Sequence, residues 1–323
     1  MKCTNSLIIT LCILTLFLLT GCSETYFAQP YDYRTRQSAF SFDNVSVSDT
    51  ATPFAAGLCV ASDENTADGP ALNGAVAAGL FDVNACGTLY SKEVHERLAP
   101  ASLTKVMTAL VALKYGHPDD MITASSAVNI TESGAQLVGI KEGDRMSLEQ
   151  ALHGLLMYSG NDAAVVIAEY ISGNVDEFCK LMNEEAQKLG ATNTHFVNPH
   201  GLSAEDHYTT AYDLYLIFNE AMKYDKFREI IGKSEYQTSY SDRDGNSKEM
   251  DITNSNLYLT GDKNMPSGVT VLGGKTGTTN KAGSCLILLS NDDKGNPYIS
   301  VILKAADKDI LYTEMTTLLE QIP

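Results

Sequence analysis

The chain has 323 residues and a formal net charge of −17, from 40 acidic and 23 basic side chains. A surface this acidic argues against binding to nucleic acid and against broad electrostatic attachment to membranes, while small or neutral substrates stay compatible with it. The length and an apolar content of 44% suffice for a large hydrophobic core. Composition therefore predicts a globular protein, and its chemistry has to be inferred from motifs.

The N-terminus has the pattern of a secretory leader. Lys2 supplies a positive charge, and the apolar run from Leu7 to Leu19 is too short for a comfortable membrane span. The run ends in Leu19-Thr-Gly-Cys22, which resembles a bacterial lipobox. We expect residues 1–21 to be removed and Cys22 to carry lipid, so that the protein is anchored to the bacterial membrane outside the cytoplasm. The alternative is an ordinary secretory signal with an incidental cysteine.

Residues 23–53 are polar and aperiodic, so we predict a flexible tether over 22–53. We predict a catalytic domain over the remaining residues, 54–323. In the domain, predicted strands lie near both ends and predicted helices lie between them. This order predicts an α/β fold, with an antiparallel sheet built from both chain ends, flanking helices and a helical subdomain. The expected strands are a hairpin (75–82 and 88–93) and three late strands (269–278, 283–290 and 298–305), followed by a closing helix over 308–320.

No metal or cofactor site is predicted. The seven cysteines include no Cys-x-x-Cys pair, so a zinc ribbon or a dense disulfide framework is not expected. A Cys59–Cys86 bridge stays open as an alternative to separate buried thiols, which we favour. His195, His200 and His207 match no helical zinc spacing, and we expect structural or loop roles for them.

Ser102 and Lys105 are the first candidate catalytic pair. Apolar residues from Leu103 onward have helical spacing, Pro100 can begin that helix and Gly116 can end it. Ser102 then lies in the first turn, and Lys105 lies on the same face three residues later. A serine hydroxyl needs a nearby base to attack, and a lysine can serve if burial or nearby charge lowers its pKa. The alternative is a capping serine beside an exposed lysine, since Ser-x-x-Lys occurs by chance about once in such a chain.

Two further motifs strengthen the catalytic interpretation. Ser159-Gly-Asn161 falls on a loop between helices, and Lys275-Thr-Gly277 falls on a predicted strand. Ser-x-x-Lys, Ser-x-Asn and Lys-Thr-Gly in this order are the motifs of penicillin-binding proteins and class A β-lactamases. A second Ser-Gly-Asn at 172–174 is interpreted as the end of a helix.

From about residue 75 to its end, the chain resembles the serine-type D-alanyl-D-alanine carboxypeptidases, the low-molecular-mass penicillin-binding proteins of peptidase family S11. The similar segments are Pro100-Ala-Ser-Leu-Thr-Lys105, Gly139-Ile-Lys-Glu-Gly-Asp-Arg145, Ser159-Gly-Asn-Asp-Ala-Ala164, His195-Phe-Val-Asn-Pro-His-Gly-Leu202 and Lys275-Thr-Gly-Thr-Thr-Asn-Lys-Ala-Gly283. Members of the family often carry a further C-terminal β-domain and an amphipathic anchor. Here we expect neither, and the lipobox would provide the attachment instead.

The resemblance implies a role for each motif. Ser102 would be the acylated nucleophile and Lys105 its base. Ser159 and Asn161 would complete the proton network and hold the substrate amide. The strand motif would bind substrate: Lys275 by its charge, Thr276 by binding the terminal carboxylate, Gly277 as the motif's third residue, and Thr278 by donating its backbone N–H, with that of Ser102, to the oxyanion.

The implied protein removes the terminal D-alanine from peptidoglycan stem peptides and takes β-lactams as covalent inhibitors. One alternative is a serine β-lactamase, but no Glu-x-x-Leu-Asn segment of the class A kind follows the motifs. Another is a catalytically silent wall-binding protein, and the intact motifs argue against it.

Overall fold

Strands from the two ends of the globular region pair in one antiparallel sheet. The computed structural model describes residues 55, 57–62 and 65–323, so the predicted leader, Cys22 and the whole predicted tether lie outside the described residues. The sheet has five strands, β1 (Ala77–Asp82), β2 (Gly87–Lys92), β7 (Thr270–Thr279), β8 (Gly283–Asn291) and β9 (Pro297–Ala305). Their order across the sheet is β2-β1-β9-β8-β7. Early and late strands meet where Gly79 of β1 pairs with Val301 of β9.

The helices largely follow the periodicity of the sequence. They are α1 (Thr104–Tyr115), α2 (Leu148–Leu156), α3 (Asn161–Ser172), α4 (Val175–Lys188), α5 (Ala211–Ala221), α6 (Asp225–Ile231), α7 (Leu257–Thr260) and α8 (Lys308–Leu319). Ser147 and Gln150 form a capping box at the start of α2: the Gln150 amide donates to Ser147 Oγ over 3.1 Å, and the Ser147 amide donates to Gln150 Oε1 over 2.9 Å.

Helix α1 is buried more completely than its amphipathic pattern predicts. Every residue from Thr104 to Ala112 is buried, because helices α2 to α6 pack around it. The polar residues of this stretch, Lys105 among them, therefore have to satisfy their hydrogen bonds inside the protein. An exposed lysine at this position, the alternative open from sequence, is wrong.

A second, four-stranded sheet was not predicted. It has the order β3-β4-β5-β6, with strands at Met121–Thr123, Arg145–Ser147, Glu235–Ser241 and Ser247–Thr253. Its strands are short or mostly polar, and β5 buries only Tyr240 among seven residues. The period-2 apolar signal that identifies a half-buried strand is therefore weak here.

Two apolar clusters cover the two faces of the five-stranded sheet. Phe81, Ile287 and Val301 pack toward the helices around α1, while Leu286 and Ile302 pack toward α8. Cysteines 59, 86, 179 and 285 are free thiols. Within the described ranges, no helix is long and apolar enough to cross a membrane, and no cluster of three potential metal-binding side chains occurs.

Candidate active site

Ser102 lies in a tight helical turn, Ala101–Leu103, that leads directly into α1. Strand β7, the edge strand of the five-stranded sheet, runs against this turn. A Cβ added to Gly277 would lie 2.9 Å from the Ser102 amide nitrogen and 3.1 Å from Ala101 Cβ. The glycine of the Lys-Thr-Gly motif therefore allows the strand to approach the serine's backbone closely.

Lys105 reaches Ser102 from inside the protein. Its Nζ lies 3.0 Å from Ser102 Oγ, 2.7 Å from Asn161 Oδ1 and 2.6 Å from the His200 carbonyl oxygen. The side chain has no exposed surface. Burial, together with the positive charge of Lys275, holds the pKa of Lys105 well below its usual value. Burial and the neighbouring positive charge thus favour the neutral amine of Lys105 over its ammonium form.

Ser159 and Asn161 stand at the junction before α3. Ser159 has a φ of +70°, the left-handed region that non-glycine residues seldom occupy, and it lines the cleft beside Ser102. Asn161 is the first residue of α3, and its amide nitrogen donates to the Gln136 carbonyl over 2.7 Å. The structure thus joins the first two motifs through the hydrogen bond from Lys105 to Asn161.

Asp162 holds a loop beside the site. The sequence analysis assigned no role to this residue. Its carboxylate accepts the backbone N–H groups of Val138, Gly139 and Ile140 at 3.0, 2.8 and 2.9 Å. It is 1% exposed. Because the preceding Gln136 lines the cleft, this carboxylate fixes the loop that borders the site. The sequence feature that could have identified Asp162 is its position directly after the Ser-Gly-Asn motif.

Lys275, Thr276 and Thr278 lie on β7. Lys275 is 1% exposed, and burial lowers its pKa to about 7. Thr276 Oγ1 lies 2.6 Å from the hydroxyl of Ser255, a residue that precedes α7 and that the sequence analysis missed. Ser255 falls in the polar stretch where no element was assigned, so no pattern marked it.

These residues surround one cleft of about 290 Å³. Ser102, residues of β7, Gly134 and Gln136 line it. Lys308, Leu311 and Tyr312 of α8 complete the rim. A small polar ligand in this space would meet the Ser102 hydroxyl and several further hydroxyl groups, while Lys105 and Lys275 are buried.

The three histidines have structural contacts, as expected. His200 offers its carbonyl to Lys105, and burial lowers its side-chain pKa to about 3. His207 is 2% exposed, and burial lowers its pKa to about 4. His195 Nδ1 lies 2.7 Å from the Asp206 carbonyl. His200 and His207 are therefore neutral at neutral pH.

Two solved structures with this fold belong to one class of proteins. A DD-transpeptidase from Streptomyces K15 superposes with a TM-score of 0.72 at 27% identity, over 78% of this chain and 98% of that one. A penicillin-binding protein homologue from Mycobacterium tuberculosis has a TM-score of 0.69 at 29% identity, over 80% of this chain and 95% of that one. The fold is that of the DD-transpeptidases and penicillin-binding proteins, which confirms the predicted class.

Sequence comparison narrows the class to a family. The profile of the D-alanyl-D-alanine carboxypeptidases, peptidase S11, matches residues 64–307, and the chain belongs to this family. D-alanyl-D-alanine carboxypeptidase DacF of Bacillus subtilis is 35% identical over 253 residues, 76% of this chain and 61% of DacF. DacD of Escherichia coli K12 is 35% identical over 237 residues, 71% of this chain and 57% of DacD. The chain thus matches about three-fifths of the length of these curated relatives.

Proposed function

We propose that the protein is a serine DD-carboxypeptidase that removes the terminal D-alanine from peptidoglycan stem peptides through an acyl-enzyme on Ser102. The observation that carries the proposal is the 3.0 Å contact between Lys105 Nζ and Ser102 Oγ inside the cleft. Membership of the family supports the same reaction. β-Lactams, which also present an amide carbonyl and a carboxylate, would acylate the same serine.

The contacts of Lys105 explain how it could act as a base. A neutral lysine amine has two N–H groups and one lone pair. The Asn161 Oδ1 and the His200 carbonyl oxygen can only accept, and they lie 2.7 and 2.6 Å from Nζ. With both hydrogens engaged there, the lone pair faces the third neighbour, the Ser102 hydroxyl. Lys105 then takes the hydroxyl proton as Oγ attacks the carbonyl carbon.

Charge that develops on the attacked oxygen needs donors fixed in advance. The backbone N–H groups of Ser102 and Thr278 are suited to this role, because β7 passes within contact distance of the Ser102 turn. When the tetrahedral intermediate collapses, the C–N bond breaks and D-alanine leaves with the proton that Lys105 took. In this proposal Ser159, which lines the cleft, helps to return that proton. Water then hydrolyses the ester and frees Ser102.

The substrate's terminal carboxylate would bind at β7. Lys275 supplies positive charge, and the hydroxyl of Thr276, paired with Ser255 at 2.6 Å, supplies a donor. Asn161 would hold the substrate amide. The two buried lysines thus have different roles in this proposal: Lys105 moves a proton and Lys275 supplies positive charge for the carboxylate.

For location, we propose that residues 1–21 are a signal peptide, that Cys22 carries lipid, and that 22–53 tether the domain 54–323 to the outer face of the membrane. The lipobox supports this. Mass analysis of the N-terminal peptide from membranes of the native host should give lipidated Cys22, and a Cys22→Ala variant should leave the membrane fraction. Recovery of mature protein without lipid would overturn the anchoring proposal.

The activity is tested by measuring two turnovers with one preparation. A D-Ala-D-Ala peptide should release D-alanine steadily, while a chromogenic cephalosporin should label Ser102 and turn over slowly. A β-lactam's leaving group stays tethered and shields the ester, whereas free D-alanine departs and leaves room for water. Rapid cephalosporin turnover without D-alanine release would overturn the carboxypeptidase assignment in favour of a β-lactamase. A protein that neither releases D-alanine nor is labelled by the cephalosporin would instead be a catalytically silent wall-binding protein.

A further inference from the structure

Ala101 has a costly backbone conformation, and the peptide bond that follows it joins Ala101 to Ser102. Ala101 has a φ of +48°, in the left-handed region that costs a residue with a Cβ about 1–2 kcal/mol. The carbonyl of Ala101 and the N–H of Ser102 are the two ends of this one planar unit. Whatever fixes the carbonyl on one side therefore fixes the direction of the Ser102 N–H on the other side.

Two side chains hold that carbonyl in a chain of hydrogen bonds. Thr104 Oγ1 donates to the Ala101 oxygen over 2.8 Å. His207 Nε2 lies 2.8 Å from the same Thr104 hydroxyl. Thr104 has no exposed surface and His207 is 2% exposed, so water does not compete for these bonds. His207 comes from the loop before α5, 103 residues further along the chain.

The direction of each hydrogen bond is determined. The Val197 amide donates to His207 Nδ1 over 3.1 Å, so Nδ1 carries the lone pair and Nε2 carries the hydrogen. His207 Nε2 must then donate to Thr104 Oγ1, and the single hydroxyl hydrogen of Thr104 goes to the Ala101 oxygen. The loop also closes on the carbonyl at Gly201, where an added Cβ would lie 1.8 Å from the Ala101 oxygen.

We propose that Thr104 and His207 are positioning residues for acylation: their relay holds the Ala101–Ser102 peptide plane so that the Ser102 N–H faces the developing oxyanion. This inference rests on the proposed function. Neither side chain touches the substrate in this scheme. Without the relay, the Ala101–Ser102 peptide can rotate toward a less costly conformation. The Ser102 N–H then turns away from the oxyanion, while the hydrogen bonds of Lys105 remain.

The experiment measures the rate constant of acylation by a fluorescent penicillin, alongside thermal stability. Thr104→Val keeps the shape of the side chain and removes the hydroxyl, and His207→Leu removes the donor. Each should slow acylation about 10- to 100-fold, below the about 10²- to 10³-fold loss for deleting an oxyanion donor outright. Thr104→Ser should stay near the wild-type rate. His207→Gln, whose amide can donate to Thr104, should acylate faster than His207→Leu.

Thr194→Val is the matched control. Thr194 is a buried threonine whose hydroxyl donates to Asp213 Oδ2 over 2.7 Å. Its loss should lower the melting temperature and leave the acylation rate of the folded protein unchanged. The double variant Thr104→Val/His207→Leu should be no slower than the slower single variant, because both changes break one relay.

Thr104→Val acylating at the wild-type rate would overturn the proposal, as would a double variant whose losses multiply. His207→Gln matching His207→Leu would also contradict it, since hydrogen-bond donation would then be irrelevant. Thr104→Val keeps these outcomes accessible if His207→Leu does not fold. Failure of the proposed function looks different: the wild-type protein itself would neither bind penicillin nor release D-alanine.

Discussion

Lys105 Nζ lies 3.0 Å from the Ser102 hydroxyl oxygen, on a side chain with no exposed surface. The pair lies within one helical turn, yet the environment that lowers the pKa of Lys105 comes from residues far away in the sequence, Lys275 among them. This combination of a local contact and a remote electrostatic environment motivates the following predictions.

Ser102 should be the residue that β-lactams acylate, because it is the hydroxyl that Lys105 contacts in the cleft. Intact-mass analysis after penicillin treatment should show one adduct, on the peptide that contains Ser102. Ser102→Ala should show none while keeping its melting temperature. An adduct that persists in Ser102→Ala would identify a different nucleophile.

The same substitution at the two buried lysines should have very unequal effects on acylation. Lys105→Arg places a cation that cannot lose its proton where a base is needed, so acylation should fall about 10²- to 10⁴-fold. Lys275→Arg keeps the positive charge and should retain far more activity. Acylation rates with one penicillin, measured on both variants, test this. Equal losses would contradict separate roles for the two lysines.

The pH profile follows from the two lysines. Acylation requires neutral Lys105, so kcat/KM should rise as pH increases through the lowered pKa of Lys105. Carboxylate binding requires protonated Lys275, whose pKa is about 7, so kcat/KM should fall as pH rises above about 7. In Lys275→Arg, the alkaline fall should move to higher pH. An unchanged alkaline limb in that variant would exclude Lys275 as its source.

Glu185 should stabilise the fold in a pH-dependent way. Burial raises the pKa of Glu185, but hydrogen bonds from Lys114, Lys188 and Tyr115 outweigh burial and hold it at about 2. A carboxyl with a depressed pKa stabilises the folded state above its unfolded pKa and loses this contribution as pH falls. Glu185→Gln should therefore cost about 1–3 kcal/mol at pH 7, and the difference should shrink between about pH 4.5 and pH 2. Thermal unfolding of both proteins across this range measures it, and a constant difference would contradict the assignment.

Gly201 and Gly245 offer a matched test of close packing against the Ala101–Leu103 turn that carries Ser102. Both have positive φ, +89° and +86°. A Cβ at Gly201 would lie 1.8 Å from the Ala101 oxygen, whereas one at Gly245 would meet no atom within 4 Å. Gly245→Ala should cost only the backbone strain, about 1–2 kcal/mol, and acylate normally. Gly201→Ala should lose stability and acylation together. Normal penicillin labelling by Gly201→Ala would show that the loop does not constrain Ala101.

Much of the fold could be predicted because its signals are local. The β1–β2 hairpin, the three late strands and most helices have strong apolar periodicity or clear end signals, and the capping box at Ser147 needs only four consecutive residues. The four-stranded sheet was missed because β5 and β6 are held by pairing with each other, from Glu235↔Thr253 to Ser241↔Ser247. Backbone pairing of this kind leaves little trace in mostly polar side chains.

The sequence by itself determined which residues are available for catalysis. Helical geometry places Ser102 and Lys105 on one face whatever surrounds them, and the order of the motifs identified Asn161 and Lys275 as partners. Only the tertiary structure decided the state of these groups. Asn161 and His200, which accept hydrogen bonds from Lys105, are 56 and 95 residues away from it in the sequence. His207 is 103 residues away from Thr104, the residue through which it acts on the Ala101 carbonyl. The physical reason is that hydrogen-bond direction and desolvation depend on which distant segments pack together, and no spacing within one helix specifies that.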